Sequence, residues 1–288
     1  VSEPILEVRD VRYHYAGGVA GLNGLTLALN PGEKVALLGP NGCGKTTLLL
    51  HLCGALRPQE GEVRLNGQPI LYTRAGLRTL RGVVGTALQD PDEQLFAGNV
   101  YQDVSFGPLN MGLSESEVRQ RVEEALVALG IEQLADRPPH RLSLGQKKRA
   151  ALAGVVAMKP KVILLDEPTA GLDPAGVEAL LAILEALQRG GTQITFATHD
   201  VDLAYGWADR VAVLSSGRIE ASGSPDTVFR RRDLLDAAML RAPWIVEVGD
   251  ALLAVGVWPM GESVPRTPDA FLKRLAPLRG PNGNSLKD

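Results

Sequence analysis

The chain has 288 residues, 45% of them hydrophobic and 5% aromatic, which suits one large domain or one domain with an appendage. A net charge of −3 argues against a nucleic-acid partner. Cys43 and Cys53 are too few for a disulfide framework and fit a reducing cytoplasm. The first ten residues, with Glu3, Glu7, Arg9 and Asp10, do not read as a signal peptide, and Ala150 to Met158, the longest apolar stretch, is about half the ~20 residues of a membrane-crossing helix.

Residues 4–15 alternate well enough for a strand, with Ile5, Val8, Val11 and Tyr13 set among charges. Gly17-Gly18 turns the chain, Leu22 to Leu29 reads as a second strand, and Pro31-Gly32 closes it before a buried strand at 34–38. Gly39-Pro40-Asn41-Gly42-Cys43-Gly44-Lys45-Thr46-Thr47 follows, with the spacing G-x-x-x-x-G-K-T, and Leu48-Leu49-Leu50 opens a helix. That spacing is a triphosphate-binding loop. Glycines let successive N–H groups turn inward, and the helix N-terminus adds its positive dipole end. Lys45 supplies the full charge for the β- and γ-phosphates, and the Thr46 hydroxyl is placed for Mg²⁺. Tyr15 lies 24 residues before Gly39; an aromatic there can stack on a nucleobase, though an ordinary core or edge tyrosine fits as well.

Gly61 to Gly67 reads as a short strand with an Asn-Gly turn, and Gly82 to Leu88 as another strand ending at Gln89. From Asn99 to Met158 the pattern is helical. Val100 to Asn110 is one piece. Ser114 caps the next, with Glu117 completing a capping box, and Gly130 ends it. Leu142-Ser143-Leu144-Gly145-Gln146 opens a third helix, in which Lys147-Lys148-Arg149 reads as a solvated basic face. Val162 to Leu165 is a strand buried on both faces, ending in Asp166-Glu167. A helix with Pro174 at its first position follows, then a strand over Gln193 to Ala197 ending at Thr198-His199-Asp200, then a hairpin around Ser216-Gly217. Beyond Phe229, short amphipathic helices are expected at Asp233 to Leu240, Trp244 to Val255 and Asp269 to Leu275. Gly280 to Asp288 reads as a disordered tail.

Parallel strands bring Gln89, Asp166-Glu167, His199 and the glycine loop to one sheet edge. There Asp166 would hold the Mg²⁺ shell and Glu167 would act on water as general base. A surface carboxylate and a structural histidine are the plainer alternatives. Position at a strand mouth favours chemistry for Glu167 and a γ-phosphate contact for His199.

These motifs, in this order, resemble an ATP-binding-cassette (ABC) ATPase over residues 1 to about 228. The resemblance implies an α/β P-loop NTPase fold: a RecA-like core, an antiparallel β subdomain and a helical signature subdomain at about 99–158. A C-terminal helical extension at 229–278 and a flexible tail at 279–288 would follow. ATP and Mg²⁺ are the implied cofactors. Tyr15 falls at the adenine-stacking aromatic, and residues 39–47 at the first nucleotide motif. Gln89 matches the glutamine loop, with a metal contact alongside Thr46 and Asp166. Ser143, Gly145 and Gln146 match the signature, Asp173 the D-loop and His199 the switch histidine. Leu144 stands where the family has glycine, which implies weaker dimer closure. Cys43 stands where Ser or Ala is usual, which implies sensitivity to thiol reagents. The implied assembly is a homodimer clamping two ATPs, each held by one subunit's loop and the other's signature.

Gln89 to Phe96 and Asp103 to Asn110 resemble, more narrowly, the ATPases of energy-coupling factor importers, above all those for cobalt or nickel. That implies a membrane coupling protein and a substrate-binding membrane subunit as partners. It also implies a peripheral place on the cytoplasmic face of the membrane, and a dimer-holding role for the extension. The four histidines show no ligand spacing, so other subunits would bind the metal. A vitamin importer of the same group is the competing reading, ahead of a soluble non-transport ABC ATPase.

Overall fold

The structure, a computed structural model, describes residues 3–259 and 263–276; the tail expected at 279–288 lies outside the described residues. In chain order, β1 (Leu6–His14) and β2 (Ala20–Leu29) lead to β3 (Lys34–Leu38), α1 (Lys45–Leu52), β4 (Glu60–Leu65), β5 (Gln68–Pro69), α2 (Arg74–Arg81) and β6 (Val84–Ala87). Three helices follow: α3 (Val100–Asn110), α4 (Glu115–Ala128) and α5 (Leu144–Ala157). Strands and helices then alternate through β7 (Val162–Asp166), α6 (Pro174–Arg189), β8 (Gln193–Ala197), α7 (Val201–Trp207), β9 (Arg210–Ser215) and β10 (Arg218–Gly223). The described chain closes with α8 (Pro225–Phe229), α9 (Arg232–Ala237), α10 (Trp244–Ala254) and α11 (Pro268–Leu275).

Two sheets result. The larger has the order β10-β9-β3-β8-β7-β6, parallel except for β10; the smaller is antiparallel in the order β2-β1-β4-β5. In β3, β7 and β9 the apolar runs are buried on both faces because they have no polar alternation, and β8 is buried throughout although Gln193 and Thr195 alternate with its apolar residues. In β3, Ala36 and Leu38 enter the core under the helices, while Val35 and Leu37 enter the core facing the antiparallel sheet and α1. In β7, Ile163 and Leu165 take the first side and Val162 and Leu164 the second. These strands are therefore held in register from two sides, which fixes the groups at their ends.

The helical region behaves as its caps direct. Ser114 and Glu117 form the expected capping box on α4, and Ser143 with Gln146 forms another on α5. The helices after β10 are not a separate body. Leu234, Ile245, Trp258 and Phe271 belong to the same buried cluster as Val211, Tyr205 and Phe229. Among the described residues no helix is long and apolar enough to cross a membrane.

Candidate active site

The loop from Gly39 to Gly44 leaves β3 at the sheet edge and runs into α1. Its backbone forbids side chains at two points. A Cβ on Gly39, with φ of 151°, would stand 2.2 Å from the Leu214 carbonyl, and one on Gly44, with φ of 110°, would stand 2.5 Å from the Gly21 carbonyl. The β9–β10 turn braces the loop from outside, since the Gly217 N–H donates to the Cys43 carbonyl at 2.9 Å. Pro40 leads to Asn41 and Gly42, which lie exposed at the tip. No side chain caps α1 at Gly44, so the N–H groups of its first turn have no capping acceptor. An anion is the natural partner of such a terminus.

Lys45 is buried, and its Nζ donates to the carbonyls of Gly39 at 2.7 Å and Pro40 at 3.3 Å. The Thr46 hydroxyl donates to Asp166 Oδ2 at 2.6 Å. This oxygen-only pair, one hydroxyl and one carboxylate, suits a hard cation such as Mg²⁺. Burial pushes the Asp166 carboxyl above its ordinary range; the Glu167 charge adds to this, and Thr46 and Lys45 oppose it. A cation there would reverse the effect. Thr47 turns away, its hydroxyl bonded to the Tyr15 hydroxyl at 3.0 Å. Tyr15 stands edge-on to Tyr13 and keeps an exposed face.

Glu167 is held from every side. Its φ of 45° is unusual for a side-chain-bearing residue, and neighbouring groups stabilise it there. Its N–H donates to the Ala197 carbonyl at 2.9 Å, and Oε2 accepts from the Thr198 hydroxyl at 3.3 Å. Oε1 lies 2.9 Å from His199 Nδ1. An ionised carboxylate only accepts, so Nδ1 carries the proton and Nε2 is the outward nitrogen of a largely exposed ring.

Lys148 corrects the sequence reading. It is not on a solvated face: it is buried, and its Nζ donates to the carbonyls of Glu167 at 2.9 Å and Pro168 at 3.1 Å. Burial lowers its pKa and the Glu167 charge opposes that shift. In sequence it stands between two other cations, and only the packing of α5 beside β7 separates it from them. Lys147 is tied to Asp92 of the glutamine segment by 2.7 Å contacts, which links that segment to the helix opened by Ser143.

Gln89 lies two residues past β6, on the same edge, but its side chain is exposed and makes no hydrogen bond among the described residues. Gln94 fixes this segment instead, accepting from Leu88 N–H at 3.2 Å and donating to the Thr86 carbonyl at 3.3 Å. Asp173 caps α6 through the Gly176 N–H at 2.7 Å. Ser143 is exposed, and Gly145 and Gln146 are half-buried. All three open α5 without a hydrogen bond to the glycine loop of their own chain. Leu144 lies over Gly171, where a Cβ would stand 2.6 Å from it. Cys43 departs from the expected reactivity. It is 4% exposed and burial raises its thiol pKa, with Lys45 opposing, so little thiolate is available to reagents at neutral pH.

The family description "ABC transporter" matches residues 22–170. A relative named cobalt import ATP-binding protein CbiO, from Rhodobacter capsulatus, is 52% identical over 275 residues, covering 95% of this chain and 98% of its own. An energy-coupling factor transporter ATP-binding protein, EcfA, from Methanocaldococcus jannaschii, is 48% identical over 248 residues, covering 86% and 89% respectively. The solved structure of cbiO1 from Clostridium perfringens, titled as part of the ABC transporter complex cbiONQ, superposes with a TM-score of 0.73 at 45% identity. It spans 86% of this chain and all of that one.

Proposed function

We infer the function from one premise: the chain belongs to the ABC transporter ATPases, in their energy-coupling branch. It is an ATPase, and we propose that it powers import of cobalt or nickel. The observation that carries the chemistry is the single edge where Lys45, the Thr46–Asp166 pair and the Glu167–His199 pair meet. Lys45 exchanges its two carbonyl partners for phosphate oxygens. Thr46 and Asp166, with Gln89 when its segment closes in, would hold Mg²⁺, which supplies charge neutralisation at the β- and γ-phosphates. Glu167 takes a proton from the attacking water, and the exposed ring of His199 stands beside the γ-phosphate. Lys148 keeps the backbone at Glu167 and Pro168 in place. Tyr15 offers its exposed face to the adenine.

The signature opens α5 with Ser143 exposed and is unused by its own loop, which supports a second copy as its user. Ser143, Gly145, Gln146 and Asp173 would then meet nucleotide across a homodimer. Phe96 and Phe106 meet edge-on at 4.8 Å and are both exposed, with Leu109 exposed on the same helix as Phe106. Asp103 accepts from the N–H groups of Phe96 and Ala97, each at 3.0 Å, and so fixes this apolar patch. The patch suits docking of a membrane coupling protein, which would place the chain peripherally on the cytoplasmic face; a substrate-binding membrane subunit would complete the importer. The 52% identity to a cobalt import subunit over nearly both full lengths supports cobalt as cargo.

The test is radiolabelled cobalt uptake by cells carrying the whole transporter with the native chain or with Glu167→Gln. Loss of the general base lowers turnover by about 10²–10⁴-fold, and uptake falls with it. Equal uptake with both chains removes cobalt as the driven cargo, and nickel and vitamins are then tested in the same cells.

A further inference from the structure

A cavity lies at the sheet edge opposite the nucleotide loop. Its volume is about 490 Å³, within the range of roughly 300–1,000 Å³ usual for small-molecule sites. It opens where α4 meets the ends of α5 and α6 and the start of β7. Ala125, Ala128, Val156, Ile163 and Leu187 give it apolar walls. Arg121, Lys159 and Lys161 stand at the polar positions with one carboxylate, Glu124.

The charges do not cancel. Lys159 and Glu124 pair at 2.7 Å. Arg121 donates to the Met158 carbonyl at 3.2 Å and keeps its charge. Lys161 is exposed, and its ammonium has no partner among the described residues. The C-termini of α4, α5 and α6 add about half a negative charge each. About half a positive charge remains beside an apolar surface.

Three elements join this cavity to the ATPase edge. α5 begins at the Ser143 cap and ends against the cavity at Val156. α6 begins at the Asp173 cap and ends there at Leu187. β7 carries Ile163 at the cavity and Asp166 at the other edge. A ligand in the cavity would touch α4 and α5 on one side and α6 and β7 on the other, and would fix the signature helix relative to the parallel core.

We propose that this cavity binds a small amphipathic monoanion, an apolar body bearing one carboxylate or similar group, and that its occupancy slows ATP turnover from the opposite edge. The probes are octanoate and, as the charge control, octylamine. Each is titrated calorimetrically into the full chain, and ATPase rates are read with and without them. Octanoate binds saturably at one site, and octylamine does not. Lys161→Glu weakens octanoate by about 5–10-fold, as expected for reversing one exposed charge. Ala128→Trp, at an exposed wall position, fills the cavity and abolishes binding. In the native chain, saturating octanoate lowers kcat several-fold with little change in the KM for ATP, and Lys161→Glu shifts that dose response by the same factor as the binding. Absence of saturable binding, equal binding of octylamine, or octanoate affinity unchanged in Lys161→Glu overturns the site. Saturable binding with kcat unchanged overturns the control of turnover.

Discussion

On the nucleotide side the glycine loop, Asp166, Glu167, Gln89 and His199 all start within two residues of a strand end, whereas the helices after Phe229 find their partners across long stretches of chain. The glycine loop leaves β3, Asp166 closes β7, and Gln89 and His199 stand just past β6 and β8. The extension is joined differently. The Trp244 N–H donates to Asp202 Oδ1 at 2.9 Å, and Arg266 donates from Nε to the Tyr205 carbonyl at 2.9 Å and from Nη2 to that of Ala208. Both joints land on α7, the helix that starts just after His199. The first region is thus specified by short motifs on a stiff sheet, and the second by packing. Damage to the second should lower stability and leave the chemistry of the first intact.

The largest expected effect tests that separation. Trp258 is 1% exposed and stacks on Phe271 at 5.5 Å with planes 7° apart. Trp258→Ala should cost about 3–5 kcal/mol, lowering Tm by roughly 10 °C, with ATP affinity of the folded chain kept within about twofold. Thermal unfolding and an ATP titration below Tm measure both. A large loss of ATP affinity would mean the extension shapes the site through α7. Trp258→Phe sharpens the result: the indole N–H has no partner among the described residues, so removing it offsets part of the lost area.

The next effect is the mirror image. Lys45→Ala removes a charged hydrogen-bond donor worth about 1.5–3 kcal/mol, and ATP affinity should fall by about 10–100-fold with Tm of the nucleotide-free chain barely moved. Equilibrium binding of a fluorescent ATP analogue, read beside thermal unfolding, checks the pair of outcomes. A Tm drop as large as that of Trp258→Ala would erase the distinction between the regions.

The same contrast explains what the sequence disclosed. Loop, strand ends and the α4 cap were legible because each is a local pattern: glycine spacing, an apolar run ending in Asp166-Glu167, serine three residues before Glu117. Lys148 was not legible, because burial beside Glu167 depends on how α5 lies against β7 and not on its basic neighbours. Gln94 was hidden in the same way; it bonds the backbone of Thr86 and Leu88 because the chain folds back on them. α2 was missed outright, since Arg74, Arg78 and Arg81 mask its single buried side chain, Leu80, even though Thr73 caps it. The extension's helices were legible as helices and their seat on α7 was not, because Arg266 and Trp244 meet carbonyl and carboxylate partners no sequence spacing marks.

The smallest effect separates the regions by acid. His51, on α1, is fully buried, with Nδ1 2.7 Å from the Thr47 carbonyl and Nε2 without a partner among the described residues. Burial lowers its pKa from the ordinary 6.5, and the bond to Thr47 opposes the shift. The unfolded chain takes up a proton near pH 6.5 and the folded chain only at lower pH. Stability is therefore full above that value and falls as pH drops below it, by at most about 1.4 kcal/mol per pH unit for one proton. The joint to the extension carries the opposite sign. Partial burial raises the Asp202 carboxyl, the charges of Asp200 and Glu247 add to this and the Trp244 N–H opposes it, so acid relieves that joint. The sequence has no histidine after His199. Urea midpoints at pH 7, 6 and 5.5 should fall less for His51→Leu than for the native chain. Identical acid slopes for the native chain and His51→Leu would show that the histidine accepts its proton in place, and that the nucleotide helix is no more acid-sensitive than the extension.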